Sequence, residues 1–221
     1  MANVYALLAG AHKLLAQFDT SFEWARHAVA LGERKNYPIA IAAGYEYLAE
    51  AAVSMGKWQD ALEFAGQERR VAEKTGMLNR IAWADLSFAD AYYGLGDLPA
   101  AEEAAQTSLD RAEEIGESRL AIIAGASLSL IQADLGQTNT AEKNARNAVE
   151  RGIDLNSPAI LFESLEALAY WHMQYGDWED ANRYLDQCAR VIAESEIAST
   201  HGLMAHSMPK PVCEQGNSKG P

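Results

Sequence analysis

The sequence is poor in cysteine, in basic residues and in long apolar runs. Its 221 residues include only two cysteines, Cys188 and Cys213, and a chain of this length can build a core without disulfides. No stretch has the roughly 20 consecutive apolar residues of a membrane-spanning helix. The N-terminal residues also lack the basic segment that begins a secretory signal peptide. These absences favour a cytoplasmic protein with no membrane contact.

Basic residues are outnumbered throughout the chain. There are 18 Lys and Arg against 31 Asp and Glu, which gives a formal net charge of -13. Proteins that bind nucleic acid carry a basic patch, and anionic lipid surfaces likewise attract basic segments. We therefore expect neither direct nucleic-acid binding nor adsorption to a membrane.

Glycines recur along the chain at a constant interval of 40 residues. The interval separates Gly56, Gly96, Gly136 and Gly176, and no insertion or deletion interrupts it. An alanine follows each of these glycines by five residues: Ala61, Ala101, Ala141 and Ala181. Self-similarity at a period of this length is the signature of a solenoid, in which each repeat buries its apolar face against its neighbours.

Each repeat is predicted to form two helices of roughly 16 to 18 residues, because helix formers dominate and apolar residues return at every third and fourth position. The turn glycine ends the first helix of a repeat, where a left-handed residue is favoured. The predicted helices are 4–15 and 21–34, 38–55 and 58–74, 78–95 and 98–115, 119–135 and 139–154, and 158–175 and 178–196.

Two columns of small residues are predicted to be contacts between helices. The first column is Ser21, Ala61, Ala101, Ala141 and Ala181, and the second is Ala9, Ala49, Ala89, Ser129 and Ala169. A bulky column directly precedes the second: Leu8, Leu48, Phe88, Leu128 and Leu168. Small side chains at facing positions let paired helices approach closely. We interpret these columns as packing rather than function.

Leu-Ala before the turn, Gly-Asp or Gly-Lys-Trp at the turn, and Ala five residues after the turn glycine resemble the tetratricopeptide repeat (TPR). The standard repeat has about 34 residues, and the longer form in this chain is similar to the MalT-like TPR region of bacterial signal-transducing transcription regulators. The resemblance implies an all-α fold, a right-handed α-α superhelix of about five helix pairs, over residues 1–196. Residues 197–208 are expected to form a capping helix and residues 209–221 a disordered tail.

Two positions depart from the repeat pattern. Ala16 stands where the first turn glycine is expected. Glu68 stands in a column whose other members are Ala28, Ser108, Ala148 and Cys188.

No constellation of residues predicts catalysis or a bound cofactor. His12 and His172 lie four repeats apart, and His201 and His206 are five residues apart and miss the shared face of a helix. The glycines end helices rather than begin them, unlike those of a phosphate-binding loop. Cys188 falls in the column of small residues, which favours an inert buried thiol. We therefore predict a protein that is not an enzyme, with no cofactor, no metal and no catalytic residue.

The TPR resemblance assigns partner binding to the concave face, on the first helix of each repeat. The positions from repeats two to five mix aromatic, aliphatic and acidic residues and include no Lys or Arg. The candidate partner-binding residues are Glu46, Glu50, Trp83, Leu86, Asp90, Tyr93, Ile123, Leu130, Glu163, Glu166 and Tyr170. The alternative is that Trp83 and Tyr93 pack against neighbouring helices and the acidic residues are simply solvated.

The sequence supports two functional hypotheses. The first is a non-catalytic protein-protein interaction module, which binds a partner segment or peptide in an acidic and aromatic concave groove and favours a basic partner. The alternative is a ligand-sensing module of a MalT-like regulator, for a small molecule or a peptide. The first helix has apolar residues with no preceding helix to cover them: Val4, Leu7, Leu8, Leu14 and Leu15. We therefore also predict either a homo-oligomer through this uncapped end or a preceding segment that covers it.

Overall fold

The computed structural model describes residues 1–194, which form α-helices joined by short turns. Two consecutive helices make one repeat, and they are called helix A and helix B. The described helices are α1 (Ala2–Leu14), α2 (Phe18–Lys35), α3 (Pro38–Ser54), α4 (Trp58–Thr75), α5 (Leu78–Leu95), α6 (Leu98–Ile115), α7 (Ser118–Asp134), α8 (Thr138–Asp154), α9 (Pro158–Gln174) and α10 (Trp178–Glu194).

The helix bounds agree closely with the sequence prediction. The largest difference is at α2, which begins at Phe18 rather than at the predicted Ser21. Phe18 occupies the same repeat position as Trp58, the first residue of α4. The strict register of the repeat therefore extends to the start of α2, although the turn before it lacks a glycine.

The helices form two layers that wind into a right-handed superhelix. Each A helix packs against the A helix of the next repeat, in the order α1, α3, α5, α7 and α9, and also against the B helices that flank it. The B helices contact chiefly these flanking A helices. The A helices therefore make the inner layer and the B helices the outer layer, which confirms the predicted all-α fold.

The columns of small residues lie where the helices of one repeat touch. Every residue of both columns is buried. In repeat one, the hydroxyl of Ser21 on α2 donates a hydrogen bond to the carbonyl of Ala9 on α1 at 2.8 Å, so the two columns face each other. Leu48, Leu128 and Leu168 of the bulky column are buried beside them. These contacts fix the distance between the inner and outer layers.

The turn after each A helix requires a left-handed backbone. Gly96 and Gly136 have φ angles of 78° and 75°, in a region that glycine enters without steric cost. Repeat one has Ala16 at the same point, with a φ of 56°. A residue with a Cβ is strained in this region, so the backbone conformation of the first turn costs more free energy than that of the turns with glycine.

The C-terminal residues 195–221 lie outside the described range, and so do the predicted capping helix over 197–208 and the predicted tail over 209–221. Among the helices of residues 1–194, none is both long enough and apolar enough to cross a membrane. On α1, Val4, Leu7 and Leu14 are 50%, 70% and 57% exposed. That a second copy of the chain or a preceding segment covers these exposed residues stays a prediction.

Candidate functional site

The A helices form the inner layer, where the TPR resemblance predicts a concave binding face; this predicted face is called the inner groove. All of the predicted partner-binding residues lie on α3, α5, α7 or α9, the A helices of repeats two to five. The structure gives these residues four different surroundings. Some acids are ion-paired within the protein, others have no partner, the tyrosines are hydrogen-bonded, and the apolar residues contact the core.

Two of the predicted acids are already paired. Glu46 on α3 is buried and forms an ion pair with Arg80 on α5. Glu50, one turn further along α3, is held by Lys13 on α1, with 2.7 Å between Oε1 and Nζ. Burial lowers the pKa of Lys13, but the charge and hydrogen bond of Glu50 more than offset this, so that the pKa is raised overall. The pairs link α1 to α3 and α3 to α5, and they reduce the negative charge left for a ligand.

Three other carboxylates form no hydrogen bond or ion pair within residues 1–194: Asp90 on α5, and Glu163 and Glu166 on α9. They are called the acidic centre. Burial raises the pKa of Asp90 to about 7, and the charge of Glu50 adds to this rise while Lys13 opposes it. Burial and then the charge of Glu163 raise the pKa of Glu166. The nearby basic residues therefore do not offset the cost of ionising these carboxyl groups in their partly desolvated surroundings.

Glu163 belongs to the acidic centre although its side chain is exposed to solvent. Partial desolvation raises its pKa, and the charge of Lys13 opposes the rise. Lys13 belongs to α1 and Glu163 to α9, at opposite ends of the array. Lys13 pairs with Glu50 and not with Glu163, so its effect on Glu163 is a long-range one that salt screens.

Asp134, at the end of α7, is the centre of a hydrogen-bonded cluster that joins three A helices. Its Oδ2 accepts a hydrogen bond from the hydroxyl of Tyr93 on α5 at 2.7 Å. Its Oδ1 accepts from the Tyr170 hydroxyl and from Nε2 of Gln174, both on α9 and both at 2.9 Å. Burial raises the pKa of Tyr93 and of Tyr170, and the hydrogen bonds to Asp134 add to both effects. These four residues are called the Asp134 cluster.

The apolar candidates differ in how much surface they leave free. Leu86 is only 5% exposed and belongs to the core between α5 and α7. Trp83 is half-buried against the same core, and the guanidinium of Arg119 lies 5.4 Å from its ring centre, within the range of a cation–π contact. Ile123 and Leu130 are also half-buried. Trp83 therefore packs against its neighbours and leaves part of its ring surface exposed.

Three polar residues of the inner layer were not identified from the sequence. Lys13 lies 80 residues before Tyr93, at the same position of the repeat, so the periodicity could have revealed it. Arg80 stands at the repeat position that Leu120 fills in the core, and a basic residue in an apolar column was a signal. Gln174 follows no periodic pattern, and only the structure places it beside Asp134.

A second polar cluster lies outside the groove, at the turn between α9 and α10. His172, Asp177 and Asp180 offer ligand atoms that lie within 4.8 Å of one another. Each group has a structural partner: His172 Nδ1 is 3.0 Å from Asp177 Oδ2, Asp177 Oδ1 accepts from the Asp180 N–H at 3.3 Å, and Asp180 pairs with Arg183 at 2.9 Å. We interpret the cluster as a helix cap.

Comparisons with known proteins agree with this architecture. No protein-family model matches the sequence, and no curated protein is significantly similar to it. A Rap protein solved in complex with Competence and Sporulation Factor has a TM-score of 0.77 and 16% identity, over 87% of this chain and 54% of that one. BtubC (BKLC) from P. vanneervenii has a TM-score of 0.64 and 18% identity, over 94% and 82%. The thermophilic TPR protein TTC0263 from Thermus thermophilus has a TM-score of 0.61 and 17% identity, over 92% and 100%.

At these identities the likeness concerns the fold alone. The chain has the fold of a TPR-like helical-repeat solenoid, which confirms the resemblance at the level of architecture. It spans about half the length of the Rap protein. The closer resemblance to MalT-like regulators stays a prediction.

Proposed function

We propose that the protein is a non-catalytic interaction module that binds a basic segment of a partner protein, or a basic peptide, in the inner groove. The observation that carries the proposal is the acidic centre. Asp90 on α5 and Glu163 and Glu166 on α9 form no ion pair with a basic residue among the described residues. Carboxylates with too little compensating charge are costly unless a ligand supplies the cation.

The inner groove combines long-range attraction with a possible anchor. The negative field of the acidic centre would steer a basic partner and weaken as salt is added. Trp83 offers a half-buried ring at the middle repeat, and Arg119 already shows that this ring accepts a guanidinium. Large aromatic residues of this kind dominate the binding energy of many interfaces.

One solved neighbour supports a binding role for this architecture. The Rap protein was solved with Competence and Sporulation Factor bound, so a solenoid of similar fold can hold a partner. Within residues 1–194, the titratable clusters consist of ion pairs, caps and groove carboxylates, and none has the arrangement of a nucleophile with its base. These observations favour interaction over catalysis.

The charge preference is tested with fluorescent peptides that contain Lys and Arg, and with counterparts in which Glu replaces these residues. Fluorescence anisotropy should show binding of the basic set only. The double substitution Glu163→Gln with Glu166→Gln should weaken this binding and reduce its salt dependence. Glu103→Gln with Glu114→Gln, on the exposed face of the outer helix α6, is the matched control and should change little. Equal affinity for both peptide sets would contradict the proposal.

Trp83→Ala separates binding from packing. If the ring is a binding anchor, affinity for the basic peptides should fall by ~2 kcal/mol or more, about 30-fold. Stability should fall by less than the ~3–5 kcal/mol of a fully buried aromatic residue, because Trp83 is only half-buried. Both quantities are measured on the same sample, by anisotropy and by urea unfolding. Unchanged affinity per folded molecule would remove Trp83 from the proposed site.

A ligand-sensing role, as in a MalT-like regulator, is the second candidate. The Asp134 cluster favours it, because one carboxylate holds α5, α7 and α9 together through hydroxyl and amide donors. A small ligand with hydroxyl or amino groups could compete for these bonds and change the curvature of the array. A thermal-shift screen of sugars, amino acids and polyamines tests this role. A metabolite that stabilises the wild type but not Asp134→Ala would favour the sensor.

A further inference from the structure

Glu68 is a buried ionisable residue with no hydrogen-bond partner for its carboxyl group among the described residues. It lies on α4 at a repeat position that holds Ala28, Ser108, Ala148 and Cys188 elsewhere. Its relative exposure is 0%, and neither carboxylate oxygen has a hydrogen-bond donor within reach. Burying an ionised carboxylate in this way is very unfavourable unless it is fully paired.

Only one cation is available to Glu68 among the described residues. Nη1 of Arg80 lies 3.9 Å from Glu68 Oε1, too far for a hydrogen bond, and the same nitrogen already donates to Glu46. Glu46 and Glu50 face Glu68 from α3, and Arg80 and Asp85 face it from α5. One guanidinium thus serves two buried carboxylates.

The remaining charges near Glu68 have partners of their own. Glu50 pairs with Lys13 at 2.7 Å. Asp85 lies between Arg69 and Arg111, with its oxygens 2.9 Å and 3.1 Å from their guanidinium nitrogens. None of these cations is free to compensate Glu68. The geometry therefore leaves one excess negative charge in the interior if Glu46 and Glu68 are both ionised.

The repeat itself suggests where a proton on Glu68 would be bonded. Ser108 donates its hydroxyl to the carbonyl of Ala82 at 2.9 Å, and the Cys188 thiol points to the carbonyl of Phe162 at 3.9 Å. In both pairs the carbonyl acceptor lies 26 residues before the donor. Counting back the same distance from Glu68 leads to the carbonyl of Ala42. An ionised carboxylate can only accept hydrogen bonds, whereas a neutral carboxylic acid can donate one to this carbonyl.

We propose that Glu68 carries a proton in the folded protein at neutral pH, and that loss of this proton loosens the contact between repeats two and three. The proton removes the excess charge and turns Glu68 into a donor at a position where other repeats have one. This makes the α3–α4–α5 contact sensitive to alkaline pH. The inference is independent of what the inner groove binds.

The direction of the pH effect follows from proton linkage. Burial raises the pKa of Glu68 well above its usual range, the charge of Glu46 adds to the rise, and Arg80 opposes it. The folded protein therefore holds a proton that the unfolded chain releases near the ordinary pKa of glutamate. Stability is then greatest at or below that ordinary pKa, and it falls as pH rises towards the raised pKa of the folded state.

The direct test is infrared spectroscopy of the whole chain at pH 7. Asp90, whose pKa is raised to about 7, contributes its own carboxylic acid band at this pH, so the comparison is made in the Asp90→Asn background. The Asp90→Asn chain should show the carbonyl band of a neutral carboxylic acid, and the added substitution Glu68→Gln should remove it. Glu63→Gln, an exposed residue on the same helix, is the matched control and should retain it. If Glu46→Gln removes the band while Glu68→Gln leaves it, the proton belongs to Glu46 and the proposal is overturned.

A second measurement tests the consequence for stability. Thermal unfolding should show a decrease of about 3–5 °C in melting temperature for each pH unit between the ordinary pKa of glutamate and the raised pKa of Glu68, where the folded protein keeps a proton that the unfolded chain has released. Glu68→Gln should remove this part of the pH dependence, and Glu63→Gln should not. Glu68→Ser, which introduces the side chain of repeat three, serves the same purpose if the glutamine variant folds poorly. Identical pH profiles for the wild type and both Glu68 variants would overturn the proposal.

Discussion

Ala16→Gly is expected to stabilise the protein, although it removes a methyl group. Ala16 has a φ of 56°, where contact between Cβ and the carbonyl costs an L-residue roughly 1–2 kcal/mol. Glycine avoids this cost but makes the unfolded chain more flexible, which lowers stability by roughly 0.4–1 kcal/mol. The difference is a gain of up to about 1.6 kcal/mol, or up to about 6 °C in melting temperature for a chain of this size.

The reverse substitution in another repeat is the matched control. Gly136 has a φ of 75°, and a Cβ built on it meets no atom within 4 Å, so Gly136→Ala tests the backbone alone. This variant should lose about as much stability as Ala16→Gly gains. The two variants therefore measure the free-energy cost of a Cβ in the left-handed conformation, once by its removal and once by its introduction.

The assay must report on the first repeat, because the ends of solenoids can open separately from the middle. Trp24 on α2 is suitable, since its ring centre lies 5.4 Å from that of Tyr5 on α1. Urea unfolding is followed by the fluorine NMR signal of 5-fluorotryptophan at position 24, which is separated from the signals of the other four tryptophans, with circular dichroism for the whole array. A loss of stability in Ala16→Gly, with Gly136→Ala destabilised as expected, would show that Ala16 is not strained.

Two further predictions concern the core and the inner groove. Ala101→Leu should destabilise the protein by about 1–3 kcal/mol, because Ala101 is fully buried in the contact between the helices of repeat three; unchanged unfolding by urea would contradict this packing. Asp90→Asn should stabilise the protein relative to the wild type increasingly as pH rises from about 4 to 7, because the pKa of Asp90 is raised to about 7 and its ionisation in the folded state is unfavourable. Melting temperatures of both proteins across this range check the effect, and a constant difference would refute it.

Some residues of the candidate site could be predicted from the sequence because their positions recur in every repeat. The TPR resemblance assigned Trp83, Asp90 and Tyr93 to the concave face, the 40-residue period carried the assignment between repeats, and the structure places all three on α5 of the inner layer. Their partners were harder to predict, because Arg80 breaks an apolar column and Gln174 follows no column at all. Periodicity identifies which face a residue belongs to, but not which charge it meets there.

Glu46 and Glu50 illustrate the same limit. The sequence presented them as free acids of the groove, whereas the structure pairs them with Arg80 and Lys13. Both contacts join residues of different repeats, so they depend on how neighbouring A helices are rotated against each other. Helix propensity and periodicity contain no information about that rotation.

The sequence by itself determined the helices, the turns and the two-layer packing. These features are local or repeat every 40 residues: a left-handed glycine ends a helix wherever it occurs, and a small column is buried in every repeat. Only the tertiary structure decided that Lys13 pairs with Glu50, and that Asp134 joins Tyr93 to Tyr170. Such contacts arise from the curl of the superhelix, which accumulates from the small rotation between successive repeats. That rotation is set by side-chain packing at every interface, so no single segment of the sequence encodes it.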